Sequence, residues 1–212
     1  DGSVTKIGEC AFNGCSSLSN VTYTGTEQMW DAIDIIEEGN SSLYNAELTC
    51  TGDFTEVPEI PVTEISVEAS EAANTIYNLS GRNLVIVTGD CSSNTVSQIG
   101  YALRENYNVQ IFLDLSDVSE LTSIPQECFR NSNSLVEITL PESVVEIGWG
   151  AFNQCRSLQN VNNLQNISTI PNSCFSGCEN LTTITIPSTV ETIESGSFHF
   201  CGLKQILITA SV

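Results

Sequence analysis

Apolar residues recur along this chain with a fixed period. IPQECFRNSNSLVEITLPESVVE (124–146) is followed by IGWGAFNQCRSLQNVNNLQNIST (147–169), then by IPNSCFSGCENLTTITIPSTVET (170–192), and IESGSFHFCGLKQILI (193–208) starts a fourth copy. The anchors step by 23 residues: Ile124, Ile147, Ile170 and Ile193, then Phe129, Phe152, Phe175 and Phe198, then Leu135, Leu158 and Leu181. A unit of that length is one rung of a solenoid, which buries its apolar side only by stacking on its neighbours. Within a rung, ITL (138–140), ITI (184–186) and ILI (206–208) carry inward residues at alternate positions, so each reads as a short strand. Pro141 and Pro187 follow two of these strands, where a ladder N–H can be spared. In the last copy Leu203 arrives one residue early. The pattern predicts an α/β-type repeat solenoid, mostly β and turns, with a parallel sheet on one face and short helices capping the ends. Such a fold offers a long surface rather than a catalytic pocket.

Outside the four copies the periodicity divides the chain. Residues 1–24 read as a further rung, with Ile7, Phe12, Cys15, Leu18, Val21 and Tyr23 on the later anchors. GTEQMWDAIDII (25–36) predicts a short helix with Thr26 as N-cap, and LYNAELTC (43–50) a returning strand. Together, 1–50 read as the last rung and C-terminal cap of an array. TGDFTEVPEIPVTE (51–64) is acidic, contains two prolines and has no period, which marks a linker. SEAANTIYNL (70–79) predicts a helix capped by Ser70, NLVIVTG (83–89) a strand apolar enough to be buried, NTVSQIGYALREN (94–106) a second helix and VQIFLDLS (109–116) a strand in line with the repeat strands. Residues 65–110 therefore read as an N-terminal cap and 111–212 as the array. The chain begins inside a repeat motif and ends soon after a strand, so it is read as a segment of something longer.

Charge changes the picture of partners. Twenty-six acidic residues face six Lys and Arg, for a formal net charge of −20. That disfavours nucleic acid and anionic membrane surfaces, both of which need clustered basic residues. No stretch is long and apolar enough to span a bilayer. Nine Cys would suggest a disulfide framework, but their positions argue otherwise. Cys15, Cys155, Cys178 and Cys201 share the column three residues after the anchor Phe, which Ser132 takes in one copy. Cys128 and Cys174 share another with Ala11, Ala151 and Ser197. These columns read as slots for small buried side chains, filled by free thiols. Cys10, Cys50 and Cys91 lie outside the columns and are left open.

The anchors, written L-x-x-I-x-I-P-x-x-V-x-x-I-x-x-x-A-F-x-x-C, resemble the BspA-like leucine-rich repeat family. LVEITLPESVVEIGWGAFNQC (135–155) matches throughout, and LTTITIPSTVETIESGSFHFC (181–201) nearly so, with Ser197 in place of Ala. VTYTGTEQMWDAIDIIEEGNSSLYNAEL (21–48) resembles the C-terminal cap of bacterial members, and LDLSDVSELTSIP (113–125) the first rung of members from spirochaetes. The resemblance covers about 1–50 and 80–212. The sequence departs from the pattern in rung 158–170, where NNLQN replaces I-x-I-P and weakens or reshapes the strand. The resemblance implies a right-handed solenoid and a cell-surface or secreted protein, alternatively periplasmic, that binds host or matrix protein, other cells or glycan. It carries over no catalytic residue and no cofactor.

Candidate chemistry is sparse. His199 is the sole histidine and reads as structural, since any Ser–His–Asp or Cys–His arrangement would have to run through it. Cys174 and Cys178 are explained by their columns rather than by zinc. Asp114, Asp117 and Glu120 read as a solvated turn rather than a calcium loop. Five N-x-S/T triplets, at Asn20, Asn40, Asn78, Asn166 and Asn180, are what an Asn-, Ser- and Thr-rich chain produces by chance. The candidate surface is the outward row of the sheet, which alternation assigns to Asp114, Glu137, Thr139, Asn160, Asn162, Thr183 and Thr185, with no aromatic cluster exposed on it. Such a row fits a protein or glycan ligand. Self-association as a spacer or assembly subunit is the alternative, and a recognition region of an enzyme whose catalytic domain lies elsewhere is a third.

Overall fold

In the computed structural model, which describes residues 4–23, 30, 33–49 and 62–210, the anchor columns become continuous stacks. The first strands are β1 (Lys6–Ile7), β2 (Asn20–Tyr23), β3 (Asp34–Ile35) and β4 (Glu47–Thr49). The cap contributes β5 (Thr63–Glu68), β6 (Gly81–Asp90) and β7 (Val109–Asp114). The array then runs through β8 (Val118–Ser119), β9 (Ser123–Ile124), β10 (Leu135–Thr139), β11 (Glu146–Ile147) and β12 (Asn160–Asn162). It ends with β13 (Thr169–Ile170), β14 (Thr183–Ile186), β15 (Thr192–Ile193) and β16 (Gln205–Ile208). All ladders are parallel. One sheet has the order β12-β10-β7-β6-β5 and a second the order β14-β16-β2-β4. On the other side of the rungs lie the two-residue strands, ordered β11-β9 and β13-β15-β1-β3. The register places Glu137 opposite Asn160, Ile147 opposite Ile124 and Ile170 opposite Ile193.

The chain's first rung sits beyond its last. β1 pairs with β15, and β2 pairs with β16 from Asn20 opposite Gln205 to Tyr23 opposite Ile208. The Phe column runs unbroken across that junction. Ring centroids are 5.3 Å apart for Phe129 and Phe152, 5.4 Å for Phe152 and Phe175, 5.4 Å for Phe175 and Phe198, and 5.1 Å for Phe198 and Phe12. All five side chains are fully buried. Two residues after each Phe the backbone turns through positive φ, at Gly14, Asn131, Gln154, Gly177 and Phe200, which sends the chain back toward the strand side of the rung.

The small-residue columns hold more than small residues. Cys155 Sγ donates to Phe129 O at 2.8 Å, Cys178 to Phe152 O at 3.2 Å, Cys201 to Cys178 O at 3.3 Å and Cys15 to Phe198 O at 2.8 Å. Ser132, in the same column, donates through Oγ to Gly100 O at 3.2 Å. Each member of this column is therefore a donor to the preceding layer, and Ala is absent from it. Cys10, Cys15, Cys91, Cys128, Cys155, Cys174, Cys178 and Cys201 are free thiols, while Cys50 lies outside the described residues. Burial pushes the Cys15, Cys128 and Cys155 thiols up to about 12 and raises Cys174, Cys178 and Cys201 well above the usual thiol range, so at neutral pH these groups keep their protons.

The cap differs from the sequence reading in detail. The first cap helix spans Ala69–Tyr77 with Glu68 at its N-cap and no side-chain capping bond, so Ser70 lies inside it rather than before it. β5 pairs with β6 from Thr63 opposite Asn83 onward, and this extra pairing fixes the chain in extended form up to the helix start. The second cap helix, Ser93–Glu105, is capped by Ser92, whose side chain accepts from Thr95 N. At the opposite end, the helix expected over 25–36 falls mostly outside the described residues, and Asp34–Ile35 is strand β3, drawn into the ladder with β1. The strand expected over 43–50 begins only at Glu47, because Ser41–Tyr44 forms a helical turn. The expected linker falls outside the described residues except for its last residues, and Thr63 and Glu64 belong to β5. Asn40 is fully buried, donates to Gly8 O and Ile36 O, and accepts from Phe12 N, so its N-x-S triplet is a structural clamp.

Candidate interaction surface

Alternation along the parallel strands divides their side chains into an inner set and an outer set. In β10, Leu135 and Ile138 are buried while Glu137 and Thr139 are half-exposed. The register carries this outer set sideways. Glu137 lies beside Asn160, and Thr139 lies between Asp114 and Asn162. The Glu137 carboxylate accepts from Asn160 Nδ2 at 3.1 Å and from Asn162 Nδ2 at 2.8 Å, and the Asn162 amide lies 3.3 Å from Thr139 Oγ1. Four of the seven predicted residues thus form one hydrogen-bonded network on an open face. Asp114 is on the same face, but its Oδ1 accepts from Ser116 N at 2.9 Å, which ties it to its own turn. Thr183 and Thr185 lie outward on β14, beside Gln205 and Leu207.

Between β12 and β14 the ladder is interrupted. β12 pairs only with β10, and β14 only with β16. This is where NNLQN replaces the strand-and-proline pattern. Asn163 takes a positive φ and donates to Leu140 O at 2.8 Å, which turns the chain away from β14 before a ladder can form. A cleft of ≈ 380 Å³ opens there, lined among others by Asn160, Asn162, Asn163, Thr183, Thr185 and Thr209. The two-residue strands break at the same rung, since β11 pairs with β9 and not with β13. A second cleft of ≈ 520 Å³ opens on that side beneath Trp149, whose Nε1 donates to Gln126 Oε1 at 2.8 Å.

Sequence reasoning missed the apolar part of the same face. The apolar run NLVIVTG forms a strand as expected, but the cap helices cover only one of its sides. In β6, Val85 and Val87 are fully buried, whereas Arg82, Leu84 and Ile86 are half-exposed. Leu84 lies beside Phe112, also half-exposed, and the Arg82 guanidinium sits 5.4 Å from the centre of the Phe112 ring. Phe112 is the one aromatic of this patch, so the face carries a mixed apolar patch and not an aromatic cluster. The signal was present in the alternation of β7, where Ile111 and Leu113 are anchors and Phe112 between them must face out.

The remaining candidates are accounted for locally. His199 stacks on Phe200 with ring centroids 4.1 Å apart, and its Nε2 lies 3.1 Å from Asn13 Nδ2 of the neighbouring rung. Among the described residues, no group of three or more His, Cys, Asp or Glu side chains could hold a metal ion. Also among the described residues, no helix is long and apolar enough to cross a membrane.

Six copies of the BspA type Leucine rich repeat region match residues 1–49 and 104–212, about three quarters of the chain. The chain belongs to the BspA-type leucine-rich repeat family. The parallel ladders and stacked Phe column are the repeat α/β fold of that family expressed in this sequence. No curated protein matches the chain. A leucine rich cell surface protein from Faecalibacterium prausnitzii A2-165 is similar in structure, with 18% sequence identity, a TM-score of 0.42, and coverage of 99% of this chain and 77% of that one. That similarity is distant. As a BspA-type repeat region, the chain is of a kind suited to protein interaction.

Proposed function

We propose that this chain is a non-catalytic interaction module, adhesin-like, whose sheet face docks an extended protein or glycan ligand. The observation that carries this is the Glu137–Asn160–Asn162 network. It holds a carboxylate and two amides at fixed positions on a rigid sheet, so little side-chain freedom is lost when a ligand binds. Thr183 and Thr185 extend the polar row across the cleft. The reading takes the array as a right-handed solenoid with 23-residue rungs and places the protein at a bacterial cell surface or in the secreted fraction.

The test is a binding screen of the whole chain against matrix proteins, cell-surface glycans and itself, repeated with Asn160→Arg and Thr183→Arg. A saturable partner lost in both variants is the expected result. Binding that ignores both changes overturns the assignment to the sheet face. A second reading, a spacer or assembly subunit, is supported by β4 and β5, the outermost strands of the two sheets, which offer ladder positions to a neighbour. It predicts concentration-dependent self-association in sedimentation velocity that is indifferent to the two sheet-face variants.

A further inference from the structure

The outer face carries a row whose chemistry is not that of the polar network. Across four neighbouring strands the register aligns Glu64 on β5, Leu84 on β6, Phe112 on β7 and Glu137 on β10. Two apolar side chains are thus bracketed by two carboxylates in a single line across the sheet. Adjacent strands lie about 4.8 Å apart, so the two glutamates stand about 14 Å apart with the apolar pair between them. Glu137 is held in place by Asn160 and Asn162, and a carboxylate accepting two bonds still has lone pairs free. In the next row Ile86 lies beside Asp114 and widens the apolar floor. Among the described residues the cation on the row is Arg82, whose guanidinium is laid on the Phe112 ring.

An extended peptide rises about 3.4 Å per residue and presents every second side chain to one side. Its residues i, i+2 and i+4 therefore cover about 14 Å, the separation of the two glutamates. We propose that this row is the docking site for an extended segment crossing the strands, with a large apolar residue at i+2 over Leu84 and Phe112 and Lys or Arg at i and i+4 facing Glu64 and Glu137. The partner is thus a protein segment of the form basic-x-apolar-x-basic. Charge selects it, because an acidic-flanked segment would meet carboxylates at both ends on a chain of net charge −20. The inference rests on reading the sheet face as the docking surface and deepens that reading by naming what is bound.

The test pans a displayed library of random nonapeptides against the immobilised whole chain at low salt. It then titrates the fluorescein-labelled peptides Gly-Lys-Thr-Leu-Thr-Lys-Gly and Gly-Glu-Thr-Leu-Thr-Glu-Gly by anisotropy. Enrichment of the basic-x-apolar-x-basic pattern is expected, with the lysine peptide binding and the glutamate peptide not. The Glu64→Gln/Glu137→Gln double variant should weaken the lysine peptide about tenfold, and salt should weaken it less in that variant than in the parent. Phe112→Thr, which leaves an outward strand position with a good strand former, should abolish binding with the circular dichroism spectrum unchanged. An unpatterned library, equal binding of the two peptides, or affinity indifferent to Phe112→Thr overturns the proposal. A natural partner lost in Thr183→Arg but retained in Phe112→Thr overturns it while leaving the broader sheet-face reading in place.

Discussion

The position three residues after each anchor Phe shows how one side chain can do two jobs in a stacked fold. It must be small, because the next rung lies directly over it, and it must donate, because a backbone carbonyl of the neighbouring layer faces it. Cys15, Cys155, Cys178 and Cys201 satisfy both demands with a thiol, and Ser132 does so with a hydroxyl. Reading the column as a slot for any small residue captures the volume and misses the donor. The two views differ in a measurable way. If only volume counts, Cys155→Ala and Cys155→Ser are equivalent. If the Phe129 carbonyl must be met, Cys155→Ala should cost about 1–2 kcal/mol, from the lost bond and the small void, and Cys155→Ser should stay closer to the parent. Urea unfolding of the two variants decides it, and an alanine variant at least as stable as the serine variant would refute the donor role.

At the scale of the element, rung 158–170 is where the repeat gives way. The flanking rungs follow their strand with Leu140-Pro141 and Ile186-Pro187, and the proline closes the strand without sacrificing a ladder bond. Here Asn162 and Asn163 follow Val161, Asn163 turns left-handed, and both ladders stop at the same rung. The sequence reading located this departure, along with the longer repeat strands and the two helices before β7, because each depends on a period or an alternation within a few residues, and the two-residue strands and β5 lay outside it. What it could not locate depends on partners far away in the chain. Phe112, Leu84 and Ile86 become surface residues only because the cap helices pack on the opposite side of β6 and β7. Ser70 lies inside its helix because β5 pairs with β6 and extends the chain up to Glu68. A prediction follows from the broken ladder. Native-state hydrogen exchange should show amides of 160–165 exchanging faster than those of β16, which is paired on both sides by β14 and β2. Equal protection would mean that β12 and β14 are joined in solution and that the cleft is closed.

Over the whole molecule, stability is the sum of rung-to-rung interfaces, so a lesson learned at one interface need not hold for the next. The junction between the rungs holding Phe198 and Phe12 is unlike the others. Every other pair of stacked rungs is joined by a short stretch of chain, but residues 4–49 reach their place only through the long connection to β5. β4 and β5 stand at opposite ends of the strand order, seven paired strand spacings or about 34 Å apart plus the unpaired step between β12 and β14. The fourteen residue steps from Thr49 to Thr63 span about 46–50 Å at full extension. A tether of this many residues holds the end rung at a lower effective concentration than the short turns between the other rungs. The junction should therefore be the first interface to open. Phe12→Ala removes one ring from the stack, a loss of about 3–5 kcal/mol at a fully buried Phe. The two tryptophans report on different parts of the chain: Trp30 packs edge-on against Tyr23 at 5.5 Å, and Trp149 lies in the middle of the array. In Phe12→Ala carrying a single tryptophan, the Trp30 signal should melt at markedly lower urea while the Trp149 transition moves little. Phe152→Ala, cut from the middle of the stack, should lower the Trp149 transition instead. If Phe12→Ala shifts both signals equally, the array unfolds as one cooperative unit. If it shifts neither, the first rung does not rest on the last, because no ring buried in that stack could be removed without loss.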